Sequence, residues 1–309
     1  MYYAVNPIAP DWLPSLVCEI DALQSVHEGQ KIYLHALLDG VADEPLIARY
    51  RQYNPAGLSL YDDTALQAYG TAAPHLFPVP TGPGLPLWWL TPLVANCSGK
   101  AMLSIIASPL DGTALRRHLR PYLICISDDS TTWHLRWADT RVLPALLDNL
   151  TTPRREHLLS PMYRWWSVRR DGALTSWQGG ANPAPPPAGF ERLPINDAAF
   201  ARLMDGADAD AVLADVFEVR ASLFKGKDQA RCHARMAHHL AIATAHGIEA
   251  AGARRHFGML VMLLADDFVL HPAMRDMLRN IRNGADYMAE HDALPDSFWQ
   301  ATSVAPGAS

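Results

Sequence analysis

The chain is poor in the features that would mark a stapled, membrane-spanning or nucleic-acid-binding protein. It has four cysteines in 309 residues, Cys18, Cys97, Cys125 and Cys232. No two of them have CxxC spacing, and their neighbours are apolar, so they read as small core side chains in a reducing compartment. No apolar run approaches the roughly 20 residues needed to cross a bilayer. The most apolar stretch is only 257–265. A basic segment followed by an apolar one is lacking at the N-terminus, so no secretory leader is expected. Basic excess is also lacking: 26 Lys and Arg face 32 Asp and Glu, a net charge of −6. The arginine clusters at 116–120, 154–155, 169–170 and 254–255 are scattered, which argues against a nucleic-acid partner. These absences point to a cytoplasmic protein with neither a membrane nor a nucleic-acid partner.

Enzyme signatures are scarce as well. There is no G-x-S-x-G elbow and no phosphate-binding loop. Lys225-Gly226-Lys227 lacks the upstream glycine and strand, and Gly82-Pro83-Gly84 sits in a proline-rich loop. His233, His238, His239 and His246 share one expected helix, without the spacing or the nearby acid that a metal site requires. No cofactor and no metal is expected. Asp39 and Asp139 each follow an expected strand, where α/β folds hold ligands. With Arg141 they would make the acid–base pair of a hydrolase. The competing reading gives Asp39 to a turn and Asp139 to a helix cap.

What is present is a globular composition, 49% hydrophobic and 19% charged. Apolar spacing predicts helices over 11–26 and 44–53, and a strand covered on both faces over 31–38. Further strands are expected at 58–61, 87–94 and 102–107, with a helix from Asp62 to position 69 and loop over 74–86. Asp111 caps a helix ending at 120. Hairpins are expected over 122–137 and, around Asp171-Gly172, over 163–177. Asp139 starts a further helix, and Thr152 caps another. After 196 the pattern is helical, at 197–203, 208–219, 227–246, 249–264, 272–282 and 284–291. The fold class is therefore α+β, a mixed-sheet α/β domain over 1–178 followed by an all-helical domain over 196–301. A Pro/Gly-rich linker at 179–195 joins them, and the tail at 302–309 frays. Trp88-Trp89 and Trp165-Trp166 are adjacent pairs. In strands each pair sends one ring to either face, which suggests a partner surface.

Several motifs in order resemble a known family. They are Tyr33-Leu34-His35-Ala36-Leu37-Leu38-Asp39-Gly40, then Asp43-Glu44, then Leu58-Ser59-Leu60-Tyr61-Asp62, then Pro74-His75-Leu76-Phe77-Pro78-Val79. Next come Leu115-Arg116-Arg117-His118-Leu119-Arg120 and Leu135-Arg136-Trp137-Ala138-Asp139-Thr140-Arg141-Val142-Leu143, with Thr140 where the family usually has proline. Ala245-His246-Gly247-Ile248 and Asp266-Asp267-Phe268 follow more loosely. Together they resemble the effector adaptors, or chaperones, of the bacterial type VI secretion system, defined by a conserved domain of formerly unknown function. The resemblance implies a non-catalytic protein that holds a toxic effector and loads it onto the VgrG spike. It makes Asp39, Gly40, Arg136, Asp139 and Arg141 structural signature residues. A cytosolic immunity protein that binds a toxin is the competing binding role, and the hydrolase of Asp39, Asp139 and Arg141 the competing enzyme.

Overall fold

The computed structural model describes residues 2–80, 84–186 and 189–303. The chain divides into two compact units, Val5–Gly206 and Met1–Ala4 with Ala207–Ser309. The fold class is α+β, as the sequence predicts.

The first unit opens with α1 (Trp12–Val26), β1 (Tyr33–Asp39), α2 (Glu44–Tyr53), β2 (Leu58–Ser59), β3 (Pro74–Pro78), α3 (Leu87–Cys97) and β4 (Leu103–Ser108). It continues through α4 (Gly112–Leu119), β5 (Ile124–Ile126), β6 (Thr132–His134), α5 (Val142–Asn149), α6 (Thr152–Leu159), β7 (Arg164–Val168), β8 (Leu174–Gln178) and β9 (Leu193–Pro194). A six-stranded sheet runs β2-β3-β1-β4-β7-β8, with every neighbouring pair antiparallel. A small sheet, β6-β5-β9, holds an antiparallel and a parallel pair.

Strand β1 shows why its sequence is so apolar. Leu37 faces one core with Leu76, Ile106 and Trp165, while Ala36 and Leu38 face the other with Trp12, Phe77 and Trp166. Both faces of the sheet are covered, so the strand cannot show the polar–apolar alternation of a half-wet sheet.

Trp165 and Trp166 correct the expected partner surface. They do point to opposite faces of β7, but both rings are 0% exposed because a core lies on either side. The other pair lies on a helix. Residues 87–94, expected as an irregular strand, begin α3, which buries Trp89, Leu90, Leu93 and Cys97 at helical spacing despite the internal Pro92. Trp89 packs edge-on against Tyr50 of α2, and Trp88 is 73% exposed. A Trp88→Ser chain is expected to keep its unfolding free energy, measured by denaturant titration, to within about 0.5 kcal/mol, since it empties no core.

Other differences have local causes. Residues 74–78, expected as loop, form β3 between β1 and β2. Its prolines stand at the two ends of the strand, which limits the ladder bonds they remove. Asp62 does not cap a helix: its carboxylate turns back to accept from the Ser59 N–H at 3.2 Å, and 3₁₀ turns follow over Gln67–Ala72. Asp111 does cap α4, accepting from the Ala114 N–H at 2.8 Å. Asp111→Ala should cost about 1 kcal/mol in urea unfolding.

The segment expected as a linker lies inside the first unit. Phe190, Leu193 and Ile195 are buried in its core, and a Cβ on Gly179 would fall on the carbonyl oxygens of Leu159 and Met162. Pro187 lies outside the described residues, as do Gly82 and Pro83 and positions 304–309 of the expected frayed tail. The two helices expected at 197–203 and 208–219 are one, α7 (Asp197–Arg220), and the division between the units falls within it at Gly206.

The second unit is helical: the rest of α7, then α8 (Gln229–Ala245), α9 (Ala251–Leu263), α10 (Pro272–Arg282), α11 (Tyr287–Asp292) and α12 (Asp296–Thr302). The spacing of Phe257, Leu260, Val261 and Phe268 places all four in its core, and Gly247 ends α8 at φ +81°. The histidines of α8 do not converge. Both ring nitrogens of His239 face backbone carbonyls, Arg235 O at 2.9 Å and Asp266 O at 3.1 Å, and its ring stacks on Phe268. Among the described residues no group of three or more His, Cys, Asp or Glu could hold a metal.

Candidate functional site

The residues of the sequence signature converge at one corner of the first unit. Asp39 ends β1, held by its N–H to Met102 O at 3.0 Å. Gly40 follows, donating to Ala73 O at 3.2 Å. A Cβ there would fall on the carbonyl oxygens of Thr71 and Ala73, so the close backbone approach demands glycine.

The other half arrives 97 residues later. Past β6 the chain is pinned by Leu135 N–H to Leu123 O at 2.9 Å and by the Trp137 indole N–H to Tyr122 O at 2.9 Å. It then turns tightly, with Asp139 N–H to Arg136 O at 3.0 Å. The Asp139 carbonyl accepts from Val142 and Leu143 at the start of α5. The Asp139 side chain does not cap that helix from the N-cap position, which Arg141 occupies. It accepts instead from the Arg141 N–H at 3.0 Å, an Asx turn that aims the Arg141 side chain back at the same carboxylate.

Two arginines and two carboxylates then close on each other. Arg136 Nη2 is 2.6 Å from Asp39 Oδ2 and 3.7 Å from Asp139 Oδ2. Arg141 grips Asp139 in a fork, Nε to Oδ1 at 3.0 Å and Nη2 to Oδ2 at 2.6 Å. Both carboxylate side chains are only 2% exposed, while that of Arg136 is 36% exposed. The formal charge of the four sums to zero. Burial pushes the Asp39 carboxyl above its ordinary range, against the pull of Arg136. Tyr61 stands close enough to feel both groups. Its phenol is pushed up to about 12 by burial first and then by the Asp39 charge.

Thr140 contributes what a proline could not. Its N–H donates to Ala101 O at 3.2 Å, tying the corner to the segment that enters β4. The same segment carries Lys100, whose ammonium reaches Asp43 at 2.6 Å and Asn96 O at 2.8 Å. Asp43 meanwhile caps α2 through the Leu46 N–H at 2.9 Å. Sequence reasoning missed Lys100, a lone lysine before a strand that has no motif to mark it. Tyr61 lies within the Leu58-Ser59-Leu60-Tyr61-Asp62 motif, where nothing in the sequence marks its nearness to Asp39.

As chemistry, the corner is a closed electrostatic clamp. Asp39 and Asp139 do come together, as the hydrolase reading requires, yet both are taken up by guanidinium groups. The same contacts tie the end of β1 to the start of α5. The Trp pairs stand apart from this cluster in their roles: Trp89, Trp165 and Trp166 are core, and Trp88 alone is exposed.

Residues 34–157 match the family model described as "Domain of unknown function (DUF4123)". The matched segment contains the whole Asp39, Gly40, Arg136, Asp139, Arg141 cluster. No curated protein and no solved structure matches the chain.

Proposed function

We infer that this chain is a non-catalytic adaptor that binds a type VI secretion effector and loads it onto the VgrG spike in the cytoplasm. One observation carries the reading. All five signature residues behind the adaptor resemblance lie within the matched segment 34–157 and meet in one cluster. The chemistry of that cluster supports a structural role. A general acid–base pair needs carboxylates that can meet a substrate proton. Here each is buried and bonded to arginine. Among the described residues no helix is long and apolar enough to cross a membrane.

The test is a pull-down of the tagged full chain from its own host, read by mass spectrometry. Recovery of a VgrG protein together with one toxin is expected. A toxin without the spike would favour the immunity-protein role and contradict loading. Hydrolytic turnover abolished by Asp39→Asn would contradict the non-catalytic reading.

A further inference from the structure

Helix α3 is built without a charged residue. A helix that is apolar nearly all round is ordinarily buried all round. Only one side of α3 meets a core, through Trp89, Leu90, Leu93 and Cys97. The other side carries Leu87, Trp88, Thr91, Pro92 and Ala95, and each of these is exposed. They recur at i, i+1, i+4, i+5 and i+8, which makes one continuous stripe along the helix. Thr91 is its only polar side chain.

Two polar features mark the stripe. Pro92 has no N–H to give the Trp88 carbonyl, so that carbonyl lacks the bond an α-helix would supply from position 92. At the far end, Arg49 of α2 crosses to the last turn of α3. Its Nη2 donates to Asn96 Oδ1 at 3.1 Å, next in sequence to exposed Ala95. That partner is neutral. Asp43, the carboxylate that feels the Arg49 charge, is held by Lys100 at 2.6 Å. Among the described residues no carboxylate forms an ion pair with Arg49. Asn96 lies about 12 Å beyond Trp88 along the helix axis, at 1.5 Å per residue.

We propose that the exposed stripe of α3 docks an amphipathic helix of a partner protein, with its apolar residues over Leu87, Trp88 and Pro92 and a carboxylate about 12 Å further along, on Arg49. Side-chain ridges on one helix pack into the grooves of another, which suits a stripe of this spacing. A lipid surface suits it less, because the Trp88 carbonyl would face hydrocarbon without its helical bond. A second copy laid on the same face would bring Arg49 no counter-charge, since α3 has no carboxylate to offer. Trp88 would be the aromatic anchor of the contact, and Arg49 would fix the direction in which the partner helix lies. The stripe would serve an adaptor or an immunity protein alike, so it does not depend on VgrG binding.

The test uses the full chain and a fluorescein-labelled helical peptide of about 18 residues, followed by fluorescence anisotropy. The peptide carries a leucine stripe at helical spacing and glutamates at one end. It should bind about tenfold tighter than the same peptide with lysine in place of glutamate, and a scrambled peptide without the stripe should not bind. Trp88→Ser should weaken binding about tenfold, whereas Leu270→Ser, an exposed leucine in the second unit, should leave it unchanged. Arg49→Glu should reverse the preference between the two peptides. Thermal unfolding would confirm that each variant folds. No binding at millimolar peptide, equal binding of both charges or of the scrambled peptide, or indifference to Trp88→Ser would overturn the proposal. Binding to anionic phospholipid vesicles that Trp88→Ser abolishes would also overturn it, by giving the stripe to a membrane surface. So would peptide-free dimerisation, seen by sedimentation, that Trp88→Ser abolishes, because the stripe would then belong to a second copy of this chain.

Discussion

Arg136→Ala should lower the stability of the protein by about 3 kcal/mol in urea unfolding at pH 7. Removing one partner of a buried pair strands the other charge, at a cost of about 3–5 kcal/mol. The partial exposure of Arg136 places the effect at the lower end. Asp39 is the group stranded, since its carboxylate is 2% exposed and Arg136 is its only ion-pair partner among the described residues. Asp39→Asn should cost less, because an amide needs no counter-charge. The double variant should recover part of the Arg136→Ala loss, and that coupling is what identifies the pair. The pH dependence has a definite sign. The folded-state pKa of Asp39 already lies above the ordinary 3.8, and loss of the cation raises it further. The folded state then holds the proton more tightly than the unfolded one, so the variant loses stability as pH rises. The gap between parent and variant should open as pH rises through the raised folded-state range of Asp39 and close as pH falls below it. A pH-independent gap would mean that Asp39 is not the stranded group.

Acid should destabilise the parent through its buried histidines, and two of them are shifted far. His75, fully buried in β3, is pulled down to about 4 by burial, and its Nδ1 meets Ala73 O at 2.8 Å. His118 on α4 is also pulled down to about 4, by burial first and with the neighbouring His157 adding to it. Both folded-state values lie below the unfolded 6.5, so the unfolded chain binds protons first as the pH falls. Their contribution is complete above 6.5 and is lost as pH falls toward 4. Between pH 7 and pH 5 the two together should remove about 4 kcal/mol, at 1.36 kcal/mol for each pKa unit traversed below 6.5. Asp39, raised above its ordinary range, works in the opposite direction, but it is one group. Replacing His75 by Gln should flatten the slope between pH 7 and 5 by about 2 kcal/mol over that range. An unchanged slope would place the titrating groups elsewhere.

The sequence was most legible where one local rule decided the outcome. The helix at 44–53 and the one at 272–282 were read to the residue, because Asp43 and Pro272 mark their starts and Asn54-Pro55 and Asn283-Gly284 follow their ends. The β7–β8 hairpin followed from Asp171-Gly172, with the glycine at φ +85°. Reading failed where tertiary context overrode pattern. Residues 87–97 are so apolar that helix and strand periods cannot be told apart, and Pro92 disguised the helix. Residues 74–78 are bounded by prolines, yet pairing on both sides makes them a strand. Proline density at 179–195 suggested a tether, whereas Phe190 and Leu193 anchor the segment in the core. For the site, the motif placed Asp39 and Asp139 at strand ends but could not bring them together. Their union depends on the Arg136 side chain spanning 97 residues of sequence, a distance no periodicity encodes. The fate of Trp165 and Trp166 depended on both faces of the sheet being covered, which a single strand does not reveal.

The adaptor reading is tested most directly by loading itself. Purified VgrG from the host would be mixed with the effector recovered in the pull-down, with and without this chain, and the effector retained on VgrG measured. The reading predicts retention only when the chain is present, with the chain in the same complex. Equal retention without it, or an effector complex that never engages VgrG, would contradict it.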